Sequence, residues 1–336
     1  MPPTVFVTGA NGFIAQHIAK QLLAKNYLVV GSVRSDQKGK DMKELVNSAN
    51  FRYVVVSDIG APGAFDDALK ENPEISIVLH TASPVSFDTN DFKRDILDPA
   101  VSGTKNVLAA IKKYGTNVTH VVYTSSGVTV FPFGTDDKER KVYTEADFNP
   151  ITEEQGIASP FGAYAAGKTF AEKAVWQFVK DEAPAFRVTT VLPVFVFGPQ
   201  AYGIKDKSQL NFNALMVKSI LELSPEDEIP AHASYFVDVR DVARAHLIAF
   251  ENEEAAGKRL LLGNERYTNE FIAHIISSKF PQANSPKGDL KKSEKQLEEE
   301  PWTSDTSKTE ELRNFKYITL EQSITDTVNQ LLDVPN

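Results

Sequence analysis

The feature that most constrains what this chain can fold into is the junction between its first strand and its first helix. Residues 4–8 (TVFVT) form a short apolar run typical of a buried strand, and residues 12–25 repeat apolar side chains at helical spacing. The turn between them contains Gly9 and Gly12. A strand, a glycine turn and a helix in this order are typical of units that bind phosphate groups at a helix N-terminus.

The residue types in this turn suit a phosphate-binding loop. Gly9 permits a tight turn, Gly12 lets the backbone approach a pyrophosphate, and the small Ala15 lets the helix pack closely on the sheet. The free N–H groups and positive dipole end of the helix would then face the phosphates. The residues predicted to bind a dinucleotide here are Gly9, Asn11, Gly12, Phe13 and Ile14. A tight turn with a purely structural purpose is the alternative.

Apolar runs alternate with helical segments along the first part of the chain. The further predicted strands are residues 27–33, 51–56, 75–80, 118–124 and 187–194. The predicted helices between them include residues 64–71, 100–114 and 160–180. This alternation favours a parallel sheet, and continuous Val, Ile and Leu runs indicate strands buried on both faces. The predicted fold class is α/β, a doubly wound parallel sheet (Rossmann fold) that binds ligands at the carboxyl ends of its strands.

The pattern changes after about residue 195. Helices over about 207–223, 267–279 and 320–333 mix there with loops and short strands, which predicts a smaller C-terminal substrate lobe. Residues 281–308 are rich in Lys, Glu, Ser and Asp and predict a mobile, solvated surface loop. The expected domains are residues 1–195 with about 235–250 for the core, and about 196–234 with 251–336 for the lobe.

The end of the second strand indicates which dinucleotide the chain binds. An acid usually stands there when NAD is preferred, because it accepts a hydrogen bond from the ribose 2′-hydroxyl. This chain has Arg34, whose planar guanidinium can bind a 2′-phosphate, and Lys38 can add a second positive charge. Asp36 comes too late in the turn to be expected as the partner of the ribose hydroxyl. NADPH is therefore the expected cofactor, and a merely solvent-facing Arg34 is the alternative.

The third strand is followed by Asp58 and Ile59, which we expect near the adenine of the cofactor. The Asp58 carboxylate is placed to accept a hydrogen bond from the adenine amino group. It can equally be the N-cap of the next helix.

Tyr164 and Lys168 are the strongest candidates for chemistry. They lie four residues apart in the predicted helix 160–180 and share one of its faces, within an apolar stripe. Burying an unpaired lysine is costly, so a buried Lys168 is expected to have a hydrogen-bonding or charged partner or a functional role. A nearby cation lowers the pKa of a tyrosine, which suits the phenol to general acid–base catalysis. A snorkelling lysine beside a core tyrosine is the alternative.

The fifth predicted strand ends in the hydroxyl-rich segment 123–127 (YTSSG), at the edge where a nicotinamide would lie. A hydroxyl there can hydrogen-bond a substrate carbonyl while Tyr164 protonates the carbonyl oxygen. The sequence therefore predicts the reduction of an aldehyde or ketone by hydride transfer.

Several segments together resemble the extended short-chain dehydrogenase/reductases. They are TGANGFIA (8–15), HTASP (80–84), DPAVSGTKNV (98–107), TSSG (124–127), YAAGK (164–168), PVFVFGP (193–199) and FVDVRDVARAH (236–246). Within this family the chain is most similar to the dihydroflavonol-reductase-like group and its fungal NADPH-dependent aldehyde and ketone reductases. The likeness covers nearly the whole chain and is weakest over residues 281–310.

The resemblance implies roles for individual residues. It implies a catalytic triad of Ser126, Tyr164 and Lys168, with Ser126 rather than Ser125 as the serine. It implies that the cofactor also contacts Thr81, Ala82, Ser83, Tyr164, Lys168, Pro193 and Val196. Candidates for an apolar substrate wall are Phe87, Phe131, Phe161 and Tyr202.

The chain departs from the family pattern at two places. Many short-chain enzymes have an Asn on the central helix that holds a proton-relay water, and residues 98–101 (DPAV) contain none. Gly127 follows the serine where some related reductases carry an aromatic residue. The relay and the pocket shape therefore cannot be copied from the family.

Composition excludes several classes of function. The chain has no cysteine, which removes disulfides, thiolate metal sites and a cysteine nucleophile. Its six histidines show no metal-ligand spacing, so no metal is expected. A net charge of −9 argues against a nucleic-acid partner, which requires a clustered basic surface. Without a visible signal peptide or an apolar run near the roughly 18 residues of a membrane span, a cytoplasmic protein with no membrane partner is expected.

Two other functions fit parts of the sequence. A nucleotide-sugar epimerase or dehydratase of the same fold holds NAD tightly and usually has an acid after the second strand, where this chain has Arg34. A non-catalytic cofactor-sensing protein keeps the glycine turn but does not require Tyr164 and Lys168 in register with Ser126. An NADPH-dependent carbonyl reductase acting on small molecules, as a monomer or homodimer, is the function that the sequence favours.

Overall fold

The computed structural model describes residues 2–83, 89–136, 141–204, 210–263, 265–299 and 302–334. Across these residues the strands are β1 Thr4–Thr8, β2 Leu28–Val33, β3 Phe51–Val55, β4 Ile75–His80, β5 His120–Thr124, β6 Lys141–Tyr143, β7 Arg187–Pro193, β8 Phe195–Phe197, β9 Ala233–Asp238, β10 Arg259–Leu262, β11 Glu265–Thr268 and β12 Trp302–Ser304. The α-helices are α1 Phe13–Ala24, α2 Asp36–Val46, α3 Asp66–Lys70, α4 Asp98–Tyr114, α5 Glu153–Gly156, α6 Pro160–Glu182, α7 Phe212–Leu221, α8 Val239–Glu251, α9 Asn269–Lys279, α10 Leu290–Glu299, α11 Ser307–Leu312 and α12 Leu320–Asp333.

The central feature is a parallel sheet of seven strands in the order β10-β7-β5-β4-β1-β2-β3. The six strands predicted from apolar runs all lie in it, which confirms the doubly wound α/β fold. The seventh, β10, pairs with β7 at the edge of the sheet, although its residues fall within the range expected for the lobe. The strand order reverses between β1 and β4, and a crevice for a ligand opens at such a switch point.

Helices cover both faces of this sheet because strand side chains alternate between the two faces. Val5 and Val7 pack into a core with α1 and α8, whereas Phe6 packs into a second core with α3, α4 and α6. The helix α6 begins at Pro160, and the Ser159 side chain accepts a hydrogen bond from Gly162 N at 3.0 Å. This N-cap and the proline at the first helical position specify where the helix starts.

The C-terminal elements form a third apolar cluster. The small sheet β11-β9-β8 packs with α7, α9 and α12 around Phe236, Tyr267 and Ile324, which are fully buried. The Asp238 side chain caps α8 by accepting from Arg240 N at 2.8 Å, so it ends β9 and starts the helix that returns to the main sheet. Within the described ranges, no helix is both long and apolar enough to cross a membrane.

The prediction of a mobile loop over residues 281–308 is wrong. This segment contains the helix α10 and the strand β12, which pairs with β6. The Asp289 carboxylate accepts from Lys291 N at 2.8 Å at the start of α10, and the buried Ser293 hydrogen-bonds Thr268 at 2.7 Å. Because eight of the ten residues of α10 are polar or charged, composition did not reveal a helix that packs through one narrow face.

Three buried histidines are expected to make the fold less stable below neutral pH. Burial lowers the pKa of His17 to about 4, of His80 to about 3 and of His246 to about 4. As the pH falls below 6.5, these histidines therefore bind protons in the unfolded chain but not in the folded chain. Each histidine then lowers the free energy of unfolding by up to about 1.4 kcal/mol per pH unit as the pH falls from 6.5 toward 4. Asp241 opposes this trend, because burial raises its pKa to about 6 and its folded carboxyl binds a proton first.

Urea denaturation at pH 6.5 and 5.0 measures this effect. His17→Gln is expected to reduce the pH dependence by about 1 kcal/mol per pH unit relative to the wild-type protein. Equal pH dependence in the two proteins would contradict the assignment.

Candidate active site

The turn after β1 requires glycine at its first position. Gly9 has φ +64°, and a Cβ there would lie 3.1 Å from the Ala82 Cα. Its N–H donates to the Ser32 hydroxyl at 3.1 Å, and its carbonyl accepts from Gly12 N at 2.9 Å. A side chain at Gly9 would therefore strain the backbone and push the β4 extension away.

The helix that follows this turn begins without a side-chain cap. Gly12 is the N-cap of α1 and has no side chain to accept from the first N–H groups, so those of Phe13 and Ile14 stand at the positive end of the helix dipole. Asn11 is held in the turn by a hydrogen bond from the Gln16 side chain to its carbonyl, at 2.9 Å. An anion is the natural ligand of such a helix end.

The Thr8 hydroxyl joins this turn to the end of β4. It accepts from Thr81 N at 3.1 Å and from Ala82 N at 3.0 Å, and it lies 2.9 Å from His80 Nδ1. The segment of Thr81, Ala82 and Ser83 consequently runs beside the glycine turn, at the switch point of the sheet. Phe87, predicted for the substrate wall, lies outside the described residues.

Two unpaired cations lie beyond the end of β2. Arg34 and Lys38 are exposed, and neither side chain hydrogen-bonds or ion-pairs with a described residue. Asp36, by contrast, is occupied by an ion pair with Lys40 at 2.7 Å and a hydrogen bond from the Tyr53 hydroxyl at 2.7 Å. The free charge at this strand end is therefore positive.

Asp58 and Ile59 lie in the turn that follows β3. The Asp58 carboxylate accepts from Gly60 N at 2.8 Å, and α3 begins only at Asp66. The N-cap alternative for Asp58 is therefore wrong. Ile59 packs against Gly103 of α4, and its carbonyl accepts from Asn106 at 2.9 Å.

Ser126, Tyr164 and Lys168 meet at the carboxyl end of β5. The Tyr164 hydroxyl lies 3.4 Å from Ser126 Oγ, and Lys168 Nζ donates to the Thr124 carbonyl at 3.0 Å. Thr124 is itself held, because its hydroxyl lies 2.7 Å from His246 Nε2. His246 Nδ1 lies 2.8 Å from the Val242 carbonyl, which can only accept, so Nδ1 carries the proton and Nε2 accepts from Thr124.

Burial alters the acidity of both titratable members of this cluster. It lowers the pKa of Lys168 to about 8, partly offset by the negative charge of Glu172, and it raises the pKa of Tyr164, partly offset by the hydrogen bond with Ser126. At neutral pH the phenol therefore keeps its proton, and the ammonium of Lys168, one helical turn further along α6, is mostly charged. A protonated phenol beside a cation can give up its proton and remain as a stabilised phenolate.

Comparison with known proteins identifies the family. Residues 5–263 match the model of the NAD dependent epimerase/dehydratase family. The chain belongs to this family. A putative NADPH-dependent methylglyoxal reductase of Candida albicans is 45% identical and the NADPH-dependent methylglyoxal reductase of Saccharomyces cerevisiae 42% identical, each with 98% of both chains covered. The crystal structure of Gre2 from Candida albicans in complex with NADPH matches with a TM-score of 0.95 at 44% identity, covering the whole of both chains. These findings confirm the resemblance inferred from the motifs.

In this family member, Pro193 and Val196 stand where the main sheet meets the small sheet. Pro193 ends β7 opposite Leu262, and Val196 pairs with Val237. The Val196 carbonyl accepts from the Asn213 side chain at 2.8 Å, so α7 is tied to this segment.

The aromatic residues predicted for the substrate wall make different contacts. The rings of Phe131 and Phe161 both contact Phe133, with centroids 5.9 and 5.8 Å apart, and Phe161 lies 6.3 Å from the Tyr164 ring. Tyr202 instead lies under Lys20 of α1, with Nζ 5.3 Å from its ring. Sequence reasoning missed Phe133 and also Trp302, whose rings lie 4.7 Å apart.

Sequence reasoning also missed a buried carboxylate next to this site. Glu172 is 0% exposed and follows Tyr164 and Lys168 at the same helical spacing on α6. The sequence carried a signal for it: Glu172 repeats the four-residue spacing of Tyr164 and Lys168 and places an acid in the apolar stripe of the helix. Its partner Arg259 lies 87 residues away, and nothing in the local sequence connects the two.

Proposed function

We propose that this protein is an NADPH-dependent carbonyl reductase that converts aldehydes or ketones to alcohols. The observation that carries the proposal is the meeting of the Tyr164 hydroxyl, Ser126 Oγ and the buried Lys168 at the carboxyl edge of the sheet. The names of the Candida and Saccharomyces relatives, both NADPH-dependent methylglyoxal reductases, support the cofactor and the substrate class.

Each member of the triad has a proposed task that follows from its surroundings. Ser126 donates a hydrogen bond to the substrate carbonyl oxygen, and Tyr164 delivers its phenolic proton to the same oxygen. Lys168 stabilises the resulting phenolate through its positive charge. Aromatic rings near the site, those of Phe131 and Phe161 with Phe133 and Trp302, would exclude water from an apolar substrate. Tyr202 stays a proposed member of this wall, as does Phe87.

The residues present fit a dinucleotide with a 2′-phosphate. The uncapped start of α1 and the Gly9 turn leave a cradle for a pyrophosphate, and the unpaired Arg34 and Lys38 suit a dianionic phosphate. Lys168 is 6% exposed with a single acceptor among the described residues, the Thr124 carbonyl, so it has donors left for ribose hydroxyls. We propose further cofactor contacts from Asp58, Ile59, the segment 81–83, Pro193 and Val196. When bound, the reduced nicotinamide supplies the hydride.

NADPH consumption with a panel of aldehydes and ketones, beside NADH and a control without substrate, tests the function. We expect turnover with NADPH at several carbonyl compounds and little turnover with NADH. An absence of turnover with either cofactor, despite tight binding, would contradict the reductase and make nucleotide sugars with retained NAD the next test.

The remaining expectations are also proposals. We propose that residues 1–195 with about 235–250, together with β10, form the nucleotide-binding core and that the other C-terminal residues form the substrate lobe. We propose a monomer or homodimer, which light scattering on the purified protein distinguishes. We also propose a cytoplasmic location, which microscopy of a fluorescent fusion tests.

A further inference from the structure

Glu172 is a carboxylate with no access to solvent and an unusually complete set of donors. Its Oε2 accepts from Ser125 Oγ and Thr129 Oγ1, both at 2.7 Å, and from Arg259 Nη2 at 3.1 Å. Its Oε1 accepts from Arg259 Nε at 2.7 Å and Thr190 Oγ1 at 2.9 Å. Arg259 in turn is held by two backbone carbonyls, those of Glu145 and Asp147, at 2.6 and 2.5 Å. A buried ion pair with this many hydrogen bonds has one well-defined geometry.

Two of these donors flank the serine of the proposed triad. Ser125 precedes Ser126, and Thr129 closes the short 3-10 turn Gly127–Thr129 that follows it. Thr129 Oγ1 also lies 2.8 Å from the Ser126 carbonyl. Because α6 carries both Tyr164 and Glu172, the bonds of Glu172 attach the Ser126 turn to the helix that carries Tyr164.

Glu172 also provides the negative charge beside a buried cation. Burial raises the pKa of Glu172, but the hydrogen bond and charge of Arg259, with the hydroxyls of Ser125 and Thr129, lower it below its ordinary value, so it is ionised at neutral pH. Among the described residues, the titratable groups that face Lys168 are Glu172 on its own helix, Tyr123 on β5 and His80 on β4. Of these, Glu172 is the one that favours the charged ammonium.

We propose that Glu172, held by Arg259, is a positioning residue that sets Ser126 opposite Tyr164 and keeps Lys168 protonated. It touches no reacting atom and acts through the turn 125–129 and through its charge. The kinetic part of this inference depends on the proposed reductase activity. The effect on Lys168 does not depend on it, since it exists in the protein without cofactor.

Glu172→Gln tests both effects with one isosteric change. We expect kcat at pH 7 to fall about 10–100-fold from the displaced serine while the Kd of NADPH stays within about twofold. The alkaline limb of the kcat profile should move down by about one pH unit or more, because Lys168 loses the charge that favours its proton. Glu270→Gln is the matched control, since it neutralises another buried carboxylate, paired with Lys292 at 2.6 Å in the C-terminal part of the chain.

The second measurement is the titration of Lys168 in cofactor-free protein, by NMR of lysine labelled with ¹³C at Cε. The Lys168 signal is assigned by its loss in Lys168→Met. A shift of its midpoint by about one unit or more in Glu172→Gln, absent from Glu270→Gln, is the expected result. An unchanged midpoint with wild-type kcat would overturn the proposal.

The outcomes separate this inference from the proposed function. If the wild-type protein reduces no carbonyl compound, the reductase proposal fails and the Lys168 titration alone decides the inference. If Glu172→Gln does not fold, Ser125→Ala decides it, because this variant keeps the ion pair and loses only the Ser125 hydroxyl, which bonds Glu172 at 2.7 Å and lies 3.4 Å from Thr129 Oγ1. A fall in kcat of about tenfold in Ser125→Ala supports the positioning role, and wild-type kcat rejects it.

Discussion

Replacing Tyr164 by phenylalanine is expected to lower kcat about 10²–10⁴-fold, the usual contribution of a positioned general acid. The ring still fills its place against Phe161, but no proton donor remains beside Ser126 Oγ. The hydride acceptor would then have to form an unprotonated alkoxide or take its proton from water, a weaker acid that the site does not position. NADPH binding should weaken by less than about tenfold, the value of one neutral hydrogen bond.

Single-turnover rates and Kd values for NADPH measure the two effects separately. Tyr317→Phe is the control, since it removes a buried hydroxyl that has no hydrogen-bond partner among the described residues. We expect it to keep wild-type kcat. Near wild-type turnover by Tyr164→Phe with normal NADPH binding would reject Tyr164 as the proton donor.

The features of this molecule that depend on residues close together in the chain could be predicted from the sequence. The turn at Gly9 follows from its neighbours in the chain, and the pairing of Tyr164 with Lys168 on one helical face follows from their spacing alone. The six strands predicted from apolar runs are all present, because continuous Val, Ile and Leu runs have few other places to bury themselves.

The parts that depend on distant contacts were not predictable from local pattern. The strand β10 is too short to be predicted from its sequence pattern, and it joins the sheet only by pairing with β7. The Glu172–Arg259 pair joins residues 87 apart, and spacing alone does not distinguish Ser125 from Ser126. The contacts separate them, because the Ser125 hydroxyl donates to Glu172 while the Ser126 hydroxyl faces Tyr164. The charged composition of α10 is typical of a loop, and its helical packing depends on contacts with Thr268 and Glu270, which are distant in the chain.

Replacing Arg34 by glutamate is expected to raise the Kd of NADPH about 100-fold or more, and that of NADH by less than about threefold. The guanidinium has no partner among the described residues, so its charge is free for a 2′-phosphate. A hydrogen bond to a charged group is worth about 1.5–3 kcal/mol, and glutamate replaces this attraction with repulsion. NADH has no 2′-phosphate, and a change in exposed surface charge alone has little effect on it.

Fluorescence titration with both cofactors measures these constants, with Lys291→Glu on the exposed surface of α10 as the control for net charge. Lys38→Glu should show the same preference with a smaller loss, because an ammonium on a flexible stem binds phosphate less specifically than a planar guanidinium. Equal losses for NADPH and NADH in Arg34→Glu would mean that the substitution disturbs the β2–α2 turn as a whole. The preference for NADPH would then have to come from other residues. A preference for NAD would still lack its usual carboxylate, because the Asp36 carboxylate at this strand end is already bound to Lys40 and Tyr53.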